Sequence, residues 1–270
     1  MKITLKEAEE RLRAAGVPDP RDEARRIFSL IGGIEHYRLL SPLTASEDEK
    51  VIEAINKRCE RIPLAYIIGE VDFFREKYKV TPDCLIPRPD TEILVERAIE
   101  LLPEGALFLD LCTGSGCVAL SVLNNTKNTR AIAVDISEGA LATAKENAEA
   151  LGLSERIEFI KRDVLKERID KEVFAVLSNP PYVSESAYAS LEEEIYREPR
   201  IAFLGGEDGA DFYRTLTPLY REVAERGGFI AYEIGYDQGE ALREIAKDNS
   251  LKAEIVPDLS GNDRVAVITK

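Results

Sequence analysis

Four consecutive residues, Asn179-Pro180-Pro181-Tyr182, combine the groups that hold a planar NH2 group. Asn179 supplies a side-chain carbonyl acceptor, and Tyr182 supplies a flat aromatic face. Both prolines fix φ near about −65° and lack an N–H, so their carbonyls point in fixed directions. The preceding apolar run, Val173 to Leu177, predicts a buried parallel strand. Because loops after such strands often carry function, we interpret this corner as catalytic, with a rigid turn as the alternative.

A glycine loop from Cys112 to Gly116 follows an earlier predicted strand. Gly114 and Gly116 allow a ligand to approach backbone N–H groups at the start of a helix, with a tight turn alone as the alternative. Together with Ala119 they fit the dinucleotide fingerprint. Asp135 ends the next predicted strand, where a carboxylate can accept from both hydroxyls of a ribose. The alternative for Asp135 is a helix N-cap.

These features indicate a ribose-containing cofactor and leave NAD and S-adenosylmethionine open. The corner at Asn179 favours S-adenosylmethionine, because a dehydrogenase has no use for an amide-binding corner that faces its cofactor. Asp163, after the third predicted strand, is a candidate acceptor for the adenine amino group, with an ordinary surface aspartate as the alternative. Asp110 either anchors the loop or holds a charged ligand.

Composition excludes several other classes of site and partner. The single histidine, His36, lies far upstream, so a histidine base or a Ser-His-Asp triad is not expected in the catalytic region. The four cysteines contain no C-x-x-C, so no metal site is expected. The net charge of −14 disfavours broad nucleic-acid binding. No apolar run reaches the roughly 18 residues of a membrane helix, and a cytoplasmic monomer is expected.

The elements that position these residues alternate between strands and helices after residue 106. Repeated βαβ units predict a parallel sheet with helices on both faces. The predicted strands cover 106–111, 131–135, 157–160, 173–177 and 229–234, with a final pair near 252–257 and 264–269. The expected fold class is α/β, a Rossmann-like seven-stranded domain with a small N-terminal helical domain, joined by a β-hairpin connector.

Three segments make up the predicted domain organisation. Residues 1–70 are expected to form the helical bundle, 71–84 the hairpin connector and 85–270 the catalytic domain. Within the bundle, cap patterns at Thr4 and Ser46 start two of the helices. These ranges follow from the change in hydrophobic period near residue 70.

The second helix of this bundle is predicted to begin at Asp19-Pro20. Its apolar residues recur at helical spacing and include Ala24, Ile27 and Leu30. We expect this stripe to face the core of the bundle, with docking of a partner as the alternative.

Several segments between residues 61 and 264 follow one another in a specific order. They are Arg61 to Glu70, Leu85 to Glu92, Asp110 to Gly116, Val134 to Ser137, Ser178 to Tyr182, Glu198-Pro199, Gly205 to Gly209, Glu233 to Gly235 and Asp258 to Arg264. Most of these segments are weak signals singly, but the ordered set is specific, and it makes the sequence similar to the release-factor glutamine methyltransferase family. Residues 1–60 match that family only in being helical.

The resemblance implies methyl transfer from S-adenosylmethionine to the glutamine side-chain amide in the Gly-Gly-Gln loop of a peptide-chain release factor. The helical domain would help to hold that protein partner. Contacts to the cofactor are implied for Cys112, Thr113, Gly114, Ser115, Gly116, Asp135, Val164 and Asn179. Contacts to the glutamine are implied for Asn179, Pro180, Pro181 and Tyr182, with Leu85 and Arg88 bordering the site.

Two residues depart from the family pattern. Cys112 replaces a common glycine and is expected to be tolerated if its φ is negative. Val164 stands where some members carry an aromatic residue beside the adenine, so stacking there is lost. Neither residue belongs to the amide-binding corner.

The expected mechanism needs no tuned base. Asn179 Oδ1 and the Pro180 carbonyl accept the two amide hydrogens, which orients the nitrogen and stabilises its developing positive charge. Tyr182 packs against the amide plane, and the proton leaves after methyl transfer. Glu198 and Glu233 are secondary candidates. A structural role is favoured for Glu198 and Arg88.

Three alternatives remain open from the sequence. A glutamine methyltransferase of a ribosomal protein would share the fold and the corner. A nucleic-acid amino-methyltransferase would use a similar corner on an exocyclic amine. A non-catalytic adaptor would bind the cofactor without transferring the methyl group.

Overall fold

A computed structural model of the protein describes residues 2–270 and divides into two compact units. One unit runs up to Val71 and also includes Glu192–Arg197. The other comprises Asp72–Leu191 and Glu198–Lys270. The change in sequence pattern near residue 70 thus coincides with the division, but nothing in the pattern indicated that Glu192–Arg197 belongs to the first unit.

The first unit is a helical bundle around a core of aliphatic side chains. Thr4 caps the first helix as predicted: its hydroxyl accepts from Glu7 N at 3.2 Å, and its N–H donates to the Glu7 carboxylate at 2.8 Å. The elements are β1 (Ile3–Thr4), α1 (Leu5–Ala14), α2 (Pro20–Leu30), β2 (Ala45–Ser46), α3 (Glu49–Cys59) and α4 (Leu64–Ile68), with a 3-10 helix at His36–Leu40.

Two details of this bundle differ from the sequence expectation. Asp48, not Ser46, caps α3, because the Asp48 carboxylate accepts from Lys50 N at 2.9 Å. Leu30 was predicted in the buried stripe of α2, but it is 53% exposed because it is the last residue of that helix. Ala24 and Ile27 are fully buried, as expected.

Partly buried ion pairs hold the segment Glu192–Arg197 in the first unit. Arg58 is buried and pairs with Glu23 and, at 2.7 Å, with Glu194. Arg61 also donates to Glu194, from Nε at 2.7 Å. Burial acts to raise the pKa of Glu194, but the hydrogen bonds from Arg61 and Arg58 outweigh it and hold the pKa at about 2.

A two-stranded hairpin follows the bundle, with β3 at Glu70–Phe73 and β4 at Glu76–Lys79. The remaining elements belong to the second unit. They are α5 (Glu92–Leu101), β5 (Leu107–Leu111), α6 (Cys117–Asn125), β6 (Arg130–Asp135), α7 (Glu138–Ala150), β7 (Ile157–Lys161), β8 (Ala175–Ser178), α8 (Glu185–Tyr188), α9 (Asp211–Glu225), β9 (Phe229–Glu233), α10 (Gly239–Asp248), β10 (Lys252–Pro257) and β11 (Asp263–Thr269).

Seven strands of the second unit form one sheet in the order β10-β11-β9-β8-β5-β6-β7. The strands from β7 to β9 in this order run parallel, and β11 pairs antiparallel with both β9 and β10. This arrangement confirms the predicted fold class. Strand β8 begins two residues later than predicted and ends at Ser178, so the Asn179 corner follows it directly.

The parallel strands bring the predicted functional segments to one edge of the sheet. The central strands β5 and β8 are almost fully buried, as is typical of parallel strands in α/β folds. Their carboxyl ends lead into Cys112 and Asn179, and the carboxyl end of β6 is Asp135. Among the described helices, none is both long and apolar enough to cross a membrane.

Candidate active site

A cavity of about 580 Å³ lies within the second unit at this edge of the sheet. This volume is within the range of small-molecule sites. Several residues predicted from the sequence line it, as do residues that no motif singled out, among them Ile201 and Phe212. The predicted residues on the cavity wall are Leu85, Cys112, Gly114, Asp135, Asp163, Val164, Asn179 and Pro181.

The glycine loop uses left-handed backbone at three positions, with φ of 60° at Cys112, 55° at Gly114 and 81° at Gly116. The condition under which Cys112 was expected to be tolerated, a negative φ, is therefore not met. A Cβ on Gly114 would meet no atom within 4 Å, so its absence keeps the cavity wall open. A Cβ on Gly116 would lie 3.1 Å from the side chains of Ala144 and Leu120, so this glycine allows close packing of the loop.

Asp110 anchors the loop from inside the protein. Its Oδ2 accepts from the Thr113 hydroxyl at 2.5 Å and from Ala119 N at 3.2 Å. Asp110 is 1% exposed, and burial raises its pKa to about 7, although both hydrogen bonds oppose the shift. Neither Asp110 nor Thr113 lines the cavity, which favours the loop-anchoring alternative for Asp110.

Asp135 connects the end of β6 to the glycine loop. Its Oδ2 accepts from Gly114 N, and its Oδ1 accepts from Ser137 N, both at 2.9 Å. The N-cap alternative for Asp135 is wrong, because Ser137 caps α7 by accepting from Ala140 N at 3.1 Å. Burial raises the pKa of Asp135. A carboxylate oxygen can accept more than one hydrogen bond, so both oxygens keep acceptor capacity towards the cavity.

Asp163 and Val164 lie on the cavity wall after β7. Asp163 accepts from Leu165 N at 3.1 Å and pairs with Lys166 at 2.7 Å. The hydrogen bond from Lys166 lowers the pKa of Asp163, so this side chain is an ionised acceptor at neutral pH. Val164 is 5% exposed and contributes apolar surface.

The amide-binding corner is held by polar side chains from elsewhere in the sequence. Asn179 Nδ2 donates to Thr91 Oγ1 at 3.2 Å, and the Tyr182 hydroxyl donates to Glu233 Oε1 at 3.0 Å. Asn179 and Pro181 line the cavity, whereas Pro180 and Tyr182 do not. Burial, followed by the charge of Glu233, raises the pKa of Tyr182, so Tyr182 stays a neutral hydroxyl.

Arg88 and Glu198 pair with each other, and only Leu85 of the predicted border residues lines the cavity. The carboxylate of Glu198 also accepts from Ile86 N at 2.9 Å. Burial raises the pKa of Glu198, and the charge of Arg88 opposes this shift. These contacts agree with the structural role favoured for both residues.

Sequence reasoning assigned no binding role to the segment Pro199–Ala202, which lies on the cavity wall. It also assigned none to Thr91, although Thr91 belongs to one of the segments that carry the family resemblance. The segment Glu198-Pro199 had been noticed as part of the family pattern, but no residue type there signals a binding role. Thr91 is an ordinary threonine before a helix, and only the fold shows that it contacts Asn179.

The residues present fit a nucleoside-containing methyl donor. Gly114 exposes backbone at the cavity, Asp135 offers acceptors for hydroxyls, and Asp163 offers an acceptor for an amino group. Ser115 Oγ is buried and forms no hydrogen bond of ordinary geometry with any described residue. Ser115 is not on the cavity wall, so it shapes the loop behind that wall.

Comparisons with known proteins bear on the family and the fold of the chain. The family described as Methyltransferase small domain matches residues 89–202, and the PrmC N-terminal domain matches residues 4–69. The ribosomal protein L11 methylase from Lactobacillus delbrueckii subsp. bulgaricus superposes with a TM-score of 0.52 at 19% identity, covering 71% of this chain and 83% of that chain. This likeness shows the fold alone.

Two relatives align with nearly the whole chain. The release factor glutamine methyltransferase of Moorella thermoacetica is 37% identical over 98% of this chain and 96% of its own length. The release factor glutamine methyltransferase of Caulobacter vibrioides is 34% identical, over 97% of this chain and 94% of its own length. These matches confirm the resemblance predicted from the ordered segments, and the chain belongs to the release factor glutamine methyltransferase family.

Proposed function

We propose that this methyltransferase transfers a methyl group from S-adenosylmethionine to the glutamine side-chain amide nitrogen in the Gly-Gly-Gln loop of a peptide-chain release factor. The observation that carries this proposal is that Asn179 lines the same cavity as Gly114 and Asp135. A group suited to hold an amide thus shares one space with groups suited to hold a nucleoside. The names of the full-length relatives give the substrate class.

The proposed donor site uses the wall formed by Cys112, Gly114, Asp135, Asp163 and Val164. In this assignment Asp135 accepts from ribose hydroxyls, and Asp163 accepts from the adenine amino group. Thr113, Ser115 and Gly116 shape the loop behind this wall. The donor supplies an electrophilic methyl group on a sulfonium.

The proposed amide site is the corner from Asn179 to Tyr182. Asn179 Oδ1 and the Pro180 carbonyl accept the two N–H groups of the glutamine amide, which holds the nitrogen in place. An amide nitrogen is a poor nucleophile, because its lone pair is delocalised into the carbonyl. Acceptors aimed at its hydrogens stabilise the positive charge that develops on the nitrogen.

The other groups at the corner determine the shape and polarity of the amide site. Tyr182 is held by Glu233 and supplies a fixed aromatic face for the amide plane. Pro181 and Leu85 contribute apolar surface that excludes water from the cavity. Arg88, which pairs with Glu198, supports the wall rather than contacting the amide.

The first unit is proposed to help hold the release factor. The match of residues 4–69 to a domain that accompanies this kind of methyltransferase supports this assignment. The protein substrate, and not a nucleic acid, is then the direct partner, which agrees with a net charge of −14. A monomeric, cytoplasmic enzyme remains our expectation.

The test is methyl transfer from labelled S-adenosylmethionine to a purified release factor, to its Gln→Ala loop variant, and to duplex DNA. We expect label on the intact release factor alone. Label on both release-factor forms would place the methyl group elsewhere than on the loop glutamine. Label on DNA, or on ribosomal proteins in a parallel assay, would overturn the substrate assignment and leave the donor site standing.

A further inference from the structure

The side chain of Gln238 makes hydrogen bonds that the proposed chemistry does not use. Gln238 is the N-cap residue of α10, a position where a serine, threonine, aspartate or asparagine side chain usually accepts from the first N–H groups of the helix. The side chain of Gln238 makes no such bond. It contacts the amide-binding corner instead, 56 residues earlier in the sequence. The Gln238 amide therefore serves the corner and not the start of its own helix.

Backbone groups fix the orientation of the Gln238 amide. Its Nε2 donates to the carbonyl oxygens of Tyr182 at 3.1 Å and of Gly209 at 3.3 Å. Its Oε1 accepts from Gly235 N at 2.8 Å, and the Tyr213 hydroxyl lies within hydrogen-bonding distance of the same oxygen, at 3.2 Å. A backbone N–H only donates and a carbonyl only accepts, so turning the amide over would lose all three bonds to the backbone.

The two carbonyls that Gln238 holds belong to two different parts of the cavity wall. Tyr182 ends the amide-binding corner, of which Asn179 lines the cavity. Gly209 belongs to the segment 203–212, of which Leu204 lines the cavity. One side-chain NH2 group thus joins the corner to the 203–212 segment.

The two parts of the wall also meet backbone to backbone. Val183 N donates to Phe203 O at 2.8 Å, and Gly205 N donates to Val183 O at 2.9 Å. A Cβ on Gly209 would lie only 2.2 Å from the Tyr182 oxygen, so glycine is needed for this approach. The spacing between the two parts is therefore short enough for one NH2 group to reach both carbonyls.

Tyr182 is held at its side chain as well as at its main chain. Its hydroxyl donates to Glu233 Oε1 at 3.0 Å, and its backbone oxygen accepts from Gln238. Glu233 ends β9, and Gln238 lies in the connection from β9 to α10. Pro180, whose carbonyl is the proposed acceptor of a substrate N–H, is close to Tyr182 in the chain. A misplacement of about 1 Å at a reacting group can cost about a hundredfold in rate, so this support should matter to turnover.

We propose that Gln238 is a positioning residue that joins the amide-binding corner to the 203–212 segment and so fixes the place where the glutamine amide is held. This inference rests on the proposed function and adds to it a residue from outside the corner. Gln238 does not line the cavity, so it acts through the backbone of Tyr182 and Gly209 and not on the reacting atoms.

The first experiment compares Q238E with Q238M. Glutamate keeps the shape of glutamine and can still accept from Gly235 N, but its carboxylate cannot donate to the two carbonyls. Methionine is of similar length and makes none of these hydrogen bonds. We expect kcat on the release factor to fall about tenfold or more in both variants, with KM and the Kd for S-adenosylmethionine changed less than about threefold. Normal turnover in Q238E would overturn the proposal whatever Q238M does, because only the bond to Gly235 would then matter.

A matched control makes the same kind of substitution at the other end of α10. Asn249 is the C-cap residue of that helix, is half-buried like Gln238, and donates from Nδ2 to Ile245 O at 2.8 Å. N249D therefore also replaces an amide donor to a backbone carbonyl by a carboxylate. It should lower the melting temperature and leave kcat within about threefold. A loss of kcat in N249D as large as that in Q238E would show a general weakening of α10 and overturn the proposal.

Hydrogen exchange supplies a readout that does not depend on turnover. The N–H groups of Val183 and Gly205 join the two parts of the wall, so they exchange when these parts separate. Relative to the N–H groups of β5, which report global unfolding, we expect exchange at both to be about tenfold faster in Q238E and Q238M and unchanged in N249D.

Unchanged exchange in Q238E and Q238M would overturn the inference whatever the activity. If the unaltered protein fails to methylate a release factor, the proposed function fails, while this exchange still tests whether Gln238 joins the corner to the 203–212 segment. The two failures are therefore distinguishable.

Discussion

The glycine loop and the amide-binding corner lie on one cavity but are supported in opposite ways. The loop is held by local contacts: Thr113 and Asp110 are three residues apart, and Gly114 and Asp135 are 21 apart. The corner is held by contacts between distant residues, 88 apart for Asn179 and Thr91 and 51 apart for Tyr182 and Glu233.

This difference in support predicts that the loop and the corner affect different steps, donor binding and methyl transfer. A locally supported loop keeps its shape through a few nearby residues, so changes there should act on donor affinity or on stability. The corner depends on β9 and on the turn before α5, so changes there should act on turnover. Substitutions at four positions test this separation, from the largest expected effect to the smallest.

Asn179→Ala should give the largest effect. It removes the acceptor for a substrate N–H, and loss of one preorganised hydrogen-bonding group costs about 10²–10³ in kcat. The Kd for S-adenosylmethionine, measured by calorimetry, should change only a few-fold. Near-normal turnover would break the assignment of chemistry to the corner.

Asp135→Ala should act on affinity instead. It removes the acceptor of Gly114 N and the proposed acceptor for the ribose. Hydrogen bonds to a charged group are worth about 1.5–3 kcal/mol, so the Kd for the donor should rise by about ten- to a hundredfold. At saturating donor, kcat should recover most of its original value. An unchanged Kd would show that the loop and Asp135 do not hold the donor.

Asp110→Asn should change how stability depends on pH. Between 3.8 and about 7 the folded protein keeps a proton on Asp110 that the unfolded chain releases, so this residue makes stability fall as the pH rises through that window. The slope is at most about 1.4 kcal/mol per pH unit. Asparagine has no such proton and can still accept from Thr113.

The melting temperature of the Asp110→Asn variant, relative to the unaltered protein, should therefore rise by several degrees between pH 5 and pH 8. The difference between the two proteins isolates Asp110, because Asp135, Glu198 and Glu233 have raised pKa values in both. A pH-independent difference would mean that Asp110 is ionised throughout this range.

Cys112 offers the smallest and most local test. Its φ of 60° places a side chain in the left-handed region, which costs L-residues about 1–2 kcal/mol. The variants Cys112→Gly and Cys112→Ala both lack the thiol, so they differ only in the Cβ. Glycine should be the more stable by about 1 kcal/mol in urea unfolding, since the strain outweighs its extra chain entropy. A more stable alanine variant would contradict the strain at this position.

The same comparison explains what the sequence could predict. The sequence predicted the strands, the placement of the functional segments at one edge of the sheet, and the loop from Cys112 to Gly116. These features could be predicted because hydrophobic period and glycine spacing are local properties. The sequence also indicated that Asn179 is a candidate for binding an amide. It did not predict the hydrogen bond from Asn179 to Thr91, because a threonine 88 residues earlier carries no local sign of that contact. The positive φ of Cys112 could not be predicted from the residue type either.

The capture of Glu192–Arg197 by the first unit has a consequence for biosynthesis. When Val71 has left the ribosome, Arg58 and Arg61 lack the carboxylate of Glu194 that neutralises them in the finished protein. Elongation takes on the order of ten seconds to supply it. The helical bundle is therefore a discontinuous domain that is completed late, and a fragment cut at Val71 would retain Arg58 with Glu23 as its sole remaining ion-pair partner among the described residues.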